Sequence, residues 1–299
     1  MKKLIAITLA ALLIFSFAAC SNGSSDGNNT QAGTVKIADA KSIADLAGMK
    51  ISAQQGTFHE KALTQIKDVK SSTYPEFSDL LTALKTGAID GYVAEEPTAF
   101  AESLSDSSIA YVPLVNNDTG FTVTEDDVAV SIGLKKGSDL LEKINGVIAE
   151  ITVEQRTALM NQIMDLCSGK TVDKFVLESE EPANPTGTLK VAMECAYRPY
   201  NWTETSSDTR TLGAVAISGE GKDGQYANGY DVQIAKYVAN KLGLKLEIYS
   251  YEWESLIPAV NSGAVDAIVA GMSPTAERRE EIDFTNPYYT SNLVVIYKK

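Results

Sequence analysis

Between Glu76 and Glu95, apolar residues recur at helical spacing (Leu80, Leu81, Leu84), a glycine follows, and a short apolar run beginning at Ile89 closes the segment. The pattern predicts a helix, a turn and a buried strand. Glu252 to Gly271 repeats it with Leu256, Ile257 and Val260, another glycine, and a run from Val265. Written out, EFSDLLTALKTGAIDGYVAE and EWESLIPAVNSGAVDAIVAG share eight of twenty positions. Two copies offset by 176 residues predict two similar α/β lobes. Ligands of open α/β sheets sit beyond the carboxyl ends of strands, so Glu95 in one copy and Gly271 in the other mark a ligand clamped between lobes.

Elsewhere the pattern predicts a short helix over 42–48, a strand over 50–54, and a helix over 59–66 opening after the Gln55-Gly56-Thr57 turn. After the first copy come a helix over 96–104 with Pro97 in its first turn, strands near 110–115 and 128–134, and amphipathic helices over 139–151 and 153–166. Residues 168–188 are acidic and proline-bearing and read as a linker. A strand over 188–193 then enters an aromatic loop ending near Trp202, and residues 206–228, rich in glycine, serine and aspartate, read as a surface insertion. A helix over 231–242, a strand over 245–249, the second copy and a last strand over 292–297 complete the chain.

The first residues change the picture of where this body works. Met1-Lys2-Lys3 followed by the apolar run Leu4 to Ala19 has the form of an export signal. Ser16-Phe17-Ala18-Ala19-Cys20 resembles a bacterial lipobox, so Cys20 is the expected lipidation site, with residues 1–20 as signal peptide and 21–34 as a polar tether. No later segment has the roughly 18 apolar residues that a membrane span needs. The expected location is extracytoplasmic, on a lipid anchor in the cell membrane.

Composition narrows the chemistry. With 44% hydrophobic residues in 299, the chain has material for about two domains. Its 39 acidic against 26 basic residues leave a net charge of −13, which argues against nucleic acid as a partner. The single histidine, His59, and the absence of any Cys/His cluster at ligand spacing leave no metal site expected and weaken Ser-His-Asp chemistry. Cys167 and Cys195 could pair in an oxidising compartment; two small buried apolar residues is the favoured reading.

A family resemblance then becomes visible. Residues 188–299, with TLKVAMECAYRPYNW, GYDVQIAKYVANKLG, IPAVNSGAVDAIVAGMSPTAERREEIDFTNPYY and NLVVIYKK, closely resemble the first lobe of the polar amino acid binding proteins of ABC importers, solute-binding protein family 3. Residues 43–169, with SIADLAGMKISAQQGT, LLTALKTGAIDGYVAEEP and VAVSIGLKKGSDLLEKIN, look like its second lobe and closing helices. The resemblance implies an α/β, two-lobed periplasmic-binding-protein-like fold of type II. Its segments stand in reversed order, as in a circular permutant. Lobe two is then expected at 35–127 and lobe one at 128–299, the latter comprising closing helices (128–167), linker (168–187) and main lobe (188–299). One covalent crossing near 128–134 would replace two, with 35–37 pairing alongside 292–297. A truncated tandem exchanging lobes in a dimer is the alternative to this monomer.

The resemblance also implies site residues. Arg278 matches the family arginine that grips the ligand carboxylate with its planar fork. Gly271 and Ser273 match backbone and hydroxyl contacts at the same strand end, and Glu95 stands where the family usually carries an Asp for the ammonium. Gln54, Thr57 and Phe58 match the family turn at a helix start, where Thr57 and the Phe58 N–H would add donors for the carboxylate. Tyr197 and Trp253 match aromatics that sandwich the ligand side chain, and Glu194 matches an acid at its distal end, which favours arginine, lysine or histidine through charge and cation–π attraction. Glutamine-binding relatives carry an acid there too.

The resulting expectation is a receptor for a free polar amino acid, with an importer permease as partner, no cofactor and no catalytic residue. A dehydratase of cyclic dienyl acids on the same fold, with Glu95 and Glu194 as acid or base, and a ligand-sensing domain are the alternatives.

Overall fold

The computed structural model describes residues 36–205 and 212–299; Cys20, the signal peptide and the tether lie outside the described residues. The first lobe is built from strands β1 (Ile51–Gln54), β2 (Thr73–Tyr74), β3 (Gly91–Glu95) and β4 (Ile109–Val112), connected by helices α1 (Phe58–Ala62), α2 (Phe77–Thr86) and α3 (Glu96–Ser105). Helix α2 forms because Phe77, Leu80, Ala83 and Leu84 share a face that is buried, and it stops at Gly87, whose φ of +77° only glycine adopts at little cost. Pro97 opens α3, where its missing N–H is not needed. The predicted helix over 59–66 is a single α turn continued by a 3-10 turn, Leu63–Gln65.

Helix α4 (Glu125–Val128) leads through β5 (Ala129–Val130) and β6 (Gly133–Leu134) into the second lobe. There α5 (Leu141–Ala149) and α6 (Val153–Cys167) bury Ile144, Val147, Ile148, Leu159, Met160 and Ile163, and α6 packs on α3 of the first lobe. Strands β7 (Thr188–Met193), β8 (Ala196–Tyr197), β9 (Asn201–Glu204), β10 (Val215–Ser218) and β11 (Tyr226–Asn228) follow. After α7 (Tyr230–Lys241) come β12 (Lys245–Ser250), α8 (Leu256–Ser262), β13 (Ala267–Ile268), α9 (Ala276–Glu281), β14 (Asp283–Phe284), β15 (Tyr289–Thr290) and β16 (Leu293–Lys298).

The duplication seen in the sequence is a duplication of structure. The first sheet runs β2-β1-β3-β16-β4, and the second contains the same order, β12-β7-β13-β6-β14, extended beyond β12 by β10, β11, β9 and β8. In each, the fourth strand is antiparallel to its neighbours. Asp90 and Asp266, shared by the two copies, accept from the Lys50 and Lys190 N–H groups, both at 2.8 Å. Gly263 ends α8 at φ +80° as Gly87 ends α2.

Two expectations change. Residues 128–299 do not all lie in one lobe: β16 is inserted between β3 and β4, so two segments cross, and they pair with each other as β5 and β15. The reason is burial, since Leu293 to Ile296 is apolar on both faces and only a sheet interior covers both. Of the segment 35–37, residue 35 lies outside the described residues, and Lys36 and Ile37 do not supply that pairing; Ile37–Asp39 is one 3-10 turn. The insertion read at 206–228 also holds β10 and β11, which pair with β12 and β9, its turn-rich composition having hidden the alternation of Val215 and Ile217. Cys195 is buried, Cys167 half-buried, and both are free thiols whose pKa burial raises, to about 12 and about 11.

Candidate functional site

The strand ends of both lobes meet at one cavity. Its wall contains nine of the ten residues expected from sequence (Gln54, Thr57, Phe58, Glu95, Tyr197, Trp253, Gly271, Ser273, Arg278), and the tenth, Glu194, is bonded to Gln54. His59 and Phe77 also line it. The cavity measures about 10 Å³, room for about one water. The lobes are closed upon each other, and an amino acid requires them to part.

Arg278 sits on α9, which Thr275 caps by accepting from the Arg278 N–H. Its Nη1 donates to the Ser273 carbonyl at 2.9 Å and its Nη2 to the Gly56 carbonyl of the other lobe at 3.0 Å. The guanidinium lies 5.0 Å from the centre of the Trp253 ring. Burial lowers its pKa to about 10, opposed by the nearby carboxylates of Glu254, Glu277, Glu95 and Glu281, so it stays a cation at neutral pH. Gly271 turns the chain at φ +62° beneath Tyr197; a Cβ there would come within 3.2 Å of the ring.

From the opposite lobe, Glu95 ends β3 and enters the cleft with 5% of its surface exposed. Its Oε1 is 3.1 Å from His59 Nε2, and its Oε2 is buried without a partner among the described residues. The Thr57 hydroxyl donates to the Gln54 carbonyl at 2.7 Å, so its proton is committed within the turn. Helix α1, five residues long, is too short for the N-terminal dipole expected to assist Thr57 and Phe58.

The far end of the cleft is acidic. Counting from the paired Lys50 and Lys190, Gln54 and Glu194 occupy equivalent positions, and Gln54 Nε2 donates to Glu194 Oε1 across the lobes at 2.8 Å. Glu194 is 5% exposed; burial raises its carboxyl pKa despite hydrogen bonds from Glu76 and Gln54. The Glu76 carboxyl is pushed up to about 10, by burial first and then by the Glu194 and Glu252 carboxylates beside it. Among the described residues, Gln54 Oε1 and Glu194 Oε2 are buried acceptors with no N–H donor.

The aromatic arrangement differs from the expected sandwich. Tyr197 stacks on Phe77 from the other lobe, ring centres 4.1 Å apart and planes 12° from parallel, while Trp253 supports the guanidinium. The signal for Phe77 lay in the repeat, where Glu76-Phe77 aligns with Glu252-Trp253. His59 had no such signal. Beneath the floor, fully buried Asp231 accepts from Asn201 Nδ2 at 2.8 Å and the Tyr288 hydroxyl at 2.6 Å, and burial raises its pKa to about 6.

Residues 218–299 match the model of bacterial extracellular solute-binding proteins, family 3. The arginine-binding extracellular protein ArtP of Bacillus subtilis (strain 168) is 41% identical over 80 residues, 27% of this chain and 31% of its own length. A probable histidine-binding protein of Campylobacter jejuni is 35% identical over 117 residues, 39% of this chain and 38% of its own. The L-cystine-binding protein TcyA of Bacillus subtilis (strain 168) is 31% identical over 113 residues, 38% of this chain and 35% of its own. The chain thus spans about a third of the length of these relatives. Among solved structures, an ancestral cationic amino acid solute-binding protein is similar at 33% identity and TM-score 0.27, covering 34% of this chain and 37% of that one. The alkanesulfonate-binding protein SsuA of Xanthomonas axonopodis pv. citri covers 84% of this chain and 65% of its own at 12% identity and TM-score 0.43. The family match is confined to residues 218–299, and the chain around them folds as two α/β lobes.

Proposed function

We propose that this protein captures a free polar amino acid outside the cytoplasm and delivers it to the permease of an ABC importer, doing no chemistry on it. The observation that carries this reading is the approach of Arg278 and Glu95 to one cavity from opposite lobes, with 9% and 5% of their surfaces exposed. A zwitterion needs a cation for its carboxylate and an anion for its ammonium, and a ligand held by both spans the lobes. Its carboxylate takes the Arg278 Nη atoms from the Ser273 and Gly56 carbonyls, and its ammonium takes Glu95.

At the far end, the unpartnered Gln54 Oε1, the Glu194 and Glu252 carboxyl groups and the protonated Glu76, which a cation would displace from its proton, favour a side chain rich in N–H groups. Arginine fits best, then lysine, histidine or glutamine, and the names of the arginine- and histidine-binding relatives support that order. The same reading makes Cys20 the lipid-bearing residue and 21–34 its leash, and takes the chain as a monomeric circular permutant of the family's order, with 168–187 joining the former ends. A thermal-shift screen of the twenty amino acids tests the function. Ligand at a hundred times its Kd adds about 2.7 kcal/mol, a rise of roughly 5–10 °C for a protein of this size. No shift with any of the twenty rejects the reading.

A further inference from the structure

Phe77 and Tyr197 wall two cavities. On one side of their stack lies the ligand cavity; on the other is a cleft of about 290 Å³ that ligand capture does not use. Both lobes line it. Thr98 and Glu102 come from α3 of the first lobe, four residues apart and therefore on one face of the helix. Arg198 and Trp202 come from the second lobe, where the pairing of β8 with β9 sets Trp202 opposite Ala196. The Arg198 guanidinium lies over the indole, 4.9 Å from its centre. Among the described residues, neither Arg198 nor Glu102 makes a hydrogen bond or an ion pair, although each is half-buried. The hydroxyl of Thr98, a residue 2% exposed, is buried with no partner. Burial raises the Glu102 pKa against the opposing charges of Lys85 and Arg198, so those two cations do not offset its desolvation. Arg198 is near enough for its charge to act on Glu102 and too far to pair with it.

We propose that this cleft is a second ligand site, taking a small zwitterion such as a second free amino acid, with its carboxylate on Arg198 and its ammonium on Glu102. A simple anion satisfies the guanidinium and leaves the carboxyl group bare, and a simple cation does the reverse. A molecule with both charges answers both lobes at once. The Thr98 hydroxyl, one turn from Glu102, offers the ammonium a neutral acceptor. The arrangement repeats that of the ligand cavity, where Glu95 of the first lobe faces Arg278 of the second. Glu95 caps the start of α3, and Glu102 stands seven residues on, about 10 Å along the helix axis. A zwitterion at Glu102 ties the lobes at a second point, so each ligand raises the affinity for the other by favouring the same closed state. The inference does not depend on what fills the cavity at Arg278.

The two tryptophans of the chain divide between the cavities, Trp253 at the ligand cavity and Trp202 at the cleft, so their indole N–H resonances report the two separately. Trp202→Phe assigns them. Titration of 15N-labelled protein at a single pH, with L-arginine and separately with glycine, the smallest amino acid zwitterion, is expected to move Trp202 at a midpoint distinct from that of Trp253 with at least one of them. Arg198→Met keeps a chain packed on Trp202 without the charge, and Glu102→Gln removes the opposite charge. Each should weaken the Trp202 phase roughly tenfold or more, the loss of a hydrogen bond to a charged group, while Trp253 still responds. A Trp202 resonance that stays still or follows Trp253 at one midpoint with both amino acids, or a separate phase undiminished in either folded variant, overturns the inference and leaves the receptor reading intact. If Trp253 responds to none of the twenty amino acids, the receptor reading falls, and the Trp202 midpoint still decides this one.

Discussion

Arg278 joins the lobes with the two arms of one fork, Nη1 to a carbonyl of its own lobe and Nη2 to the Gly56 carbonyl of the other. Lysine at that position keeps the charge but offers a single point of attachment on a flexible stem. Arg278→Lys is therefore expected to weaken amino acid binding roughly tenfold to a hundredfold, the effect of losing a hydrogen bond to a charged group worth about 1.5–3 kcal/mol. Calorimetric titration measures it, and an unchanged Kd would remove Arg278 from the site. Arg278, Glu95 and Glu194 were legible in the sequence because each sits in a motif of several residues. His59 was not, because a histidine acquires meaning only from the carboxylate that folding brings to it, here 36 positions along the chain. Phe77 and Glu76 were legible in principle, being the repeat partners of Trp253 and Glu252, but motif matching directs attention to one lobe at a time.

The repeated helix-turn-strand was read correctly since a ten-residue helix buries four residues at regular spacing and ends on a glycine. Short strands carry no such signal: β6, β13 and β14 have two residues each, too few for a period of two to appear. Nor does an apolar run reveal which lobe will bury it, so β16 was recognised as a strand and placed in the wrong sheet. The two helix stops offer a clean test of the duplication. Gly87 and Gly263 have φ near +80°, and an added Cβ at either finds nothing within 4 Å. Alanine at either position suffers only from the left-handed backbone, about 1–2 kcal/mol. Gly87→Ala and Gly263→Ala should lower the urea midpoint by similar amounts. A large loss at one site and none at the other would show that the two copies no longer do the same structural work.

Closure brings Glu76 of one lobe against Glu194 and Glu252 of the other, and like charges at that distance do not all ionise. The closed form therefore keeps a proton that the separated lobes release. Because the Glu76 carboxyl is raised from its ordinary value of 4.5 to about 10, its contribution to closure is fully present below pH 4.5 and declines as pH rises towards 10. The ligand-free protein should open over that window, and small-angle scattering between pH 5 and 9 should record a growing radius of gyration. Glu76→Gln, which keeps a hydrogen-bonding group without the charge, should hold the radius constant. A guanidinium at the far end neutralises the same carboxylates that the proton does, so saturating L-arginine should flatten the profile of the wild type as well. A radius that responds to pH identically in the wild type and Glu76→Gln would mean that the lobes part for another reason and that the acidic end plays no part in closing them.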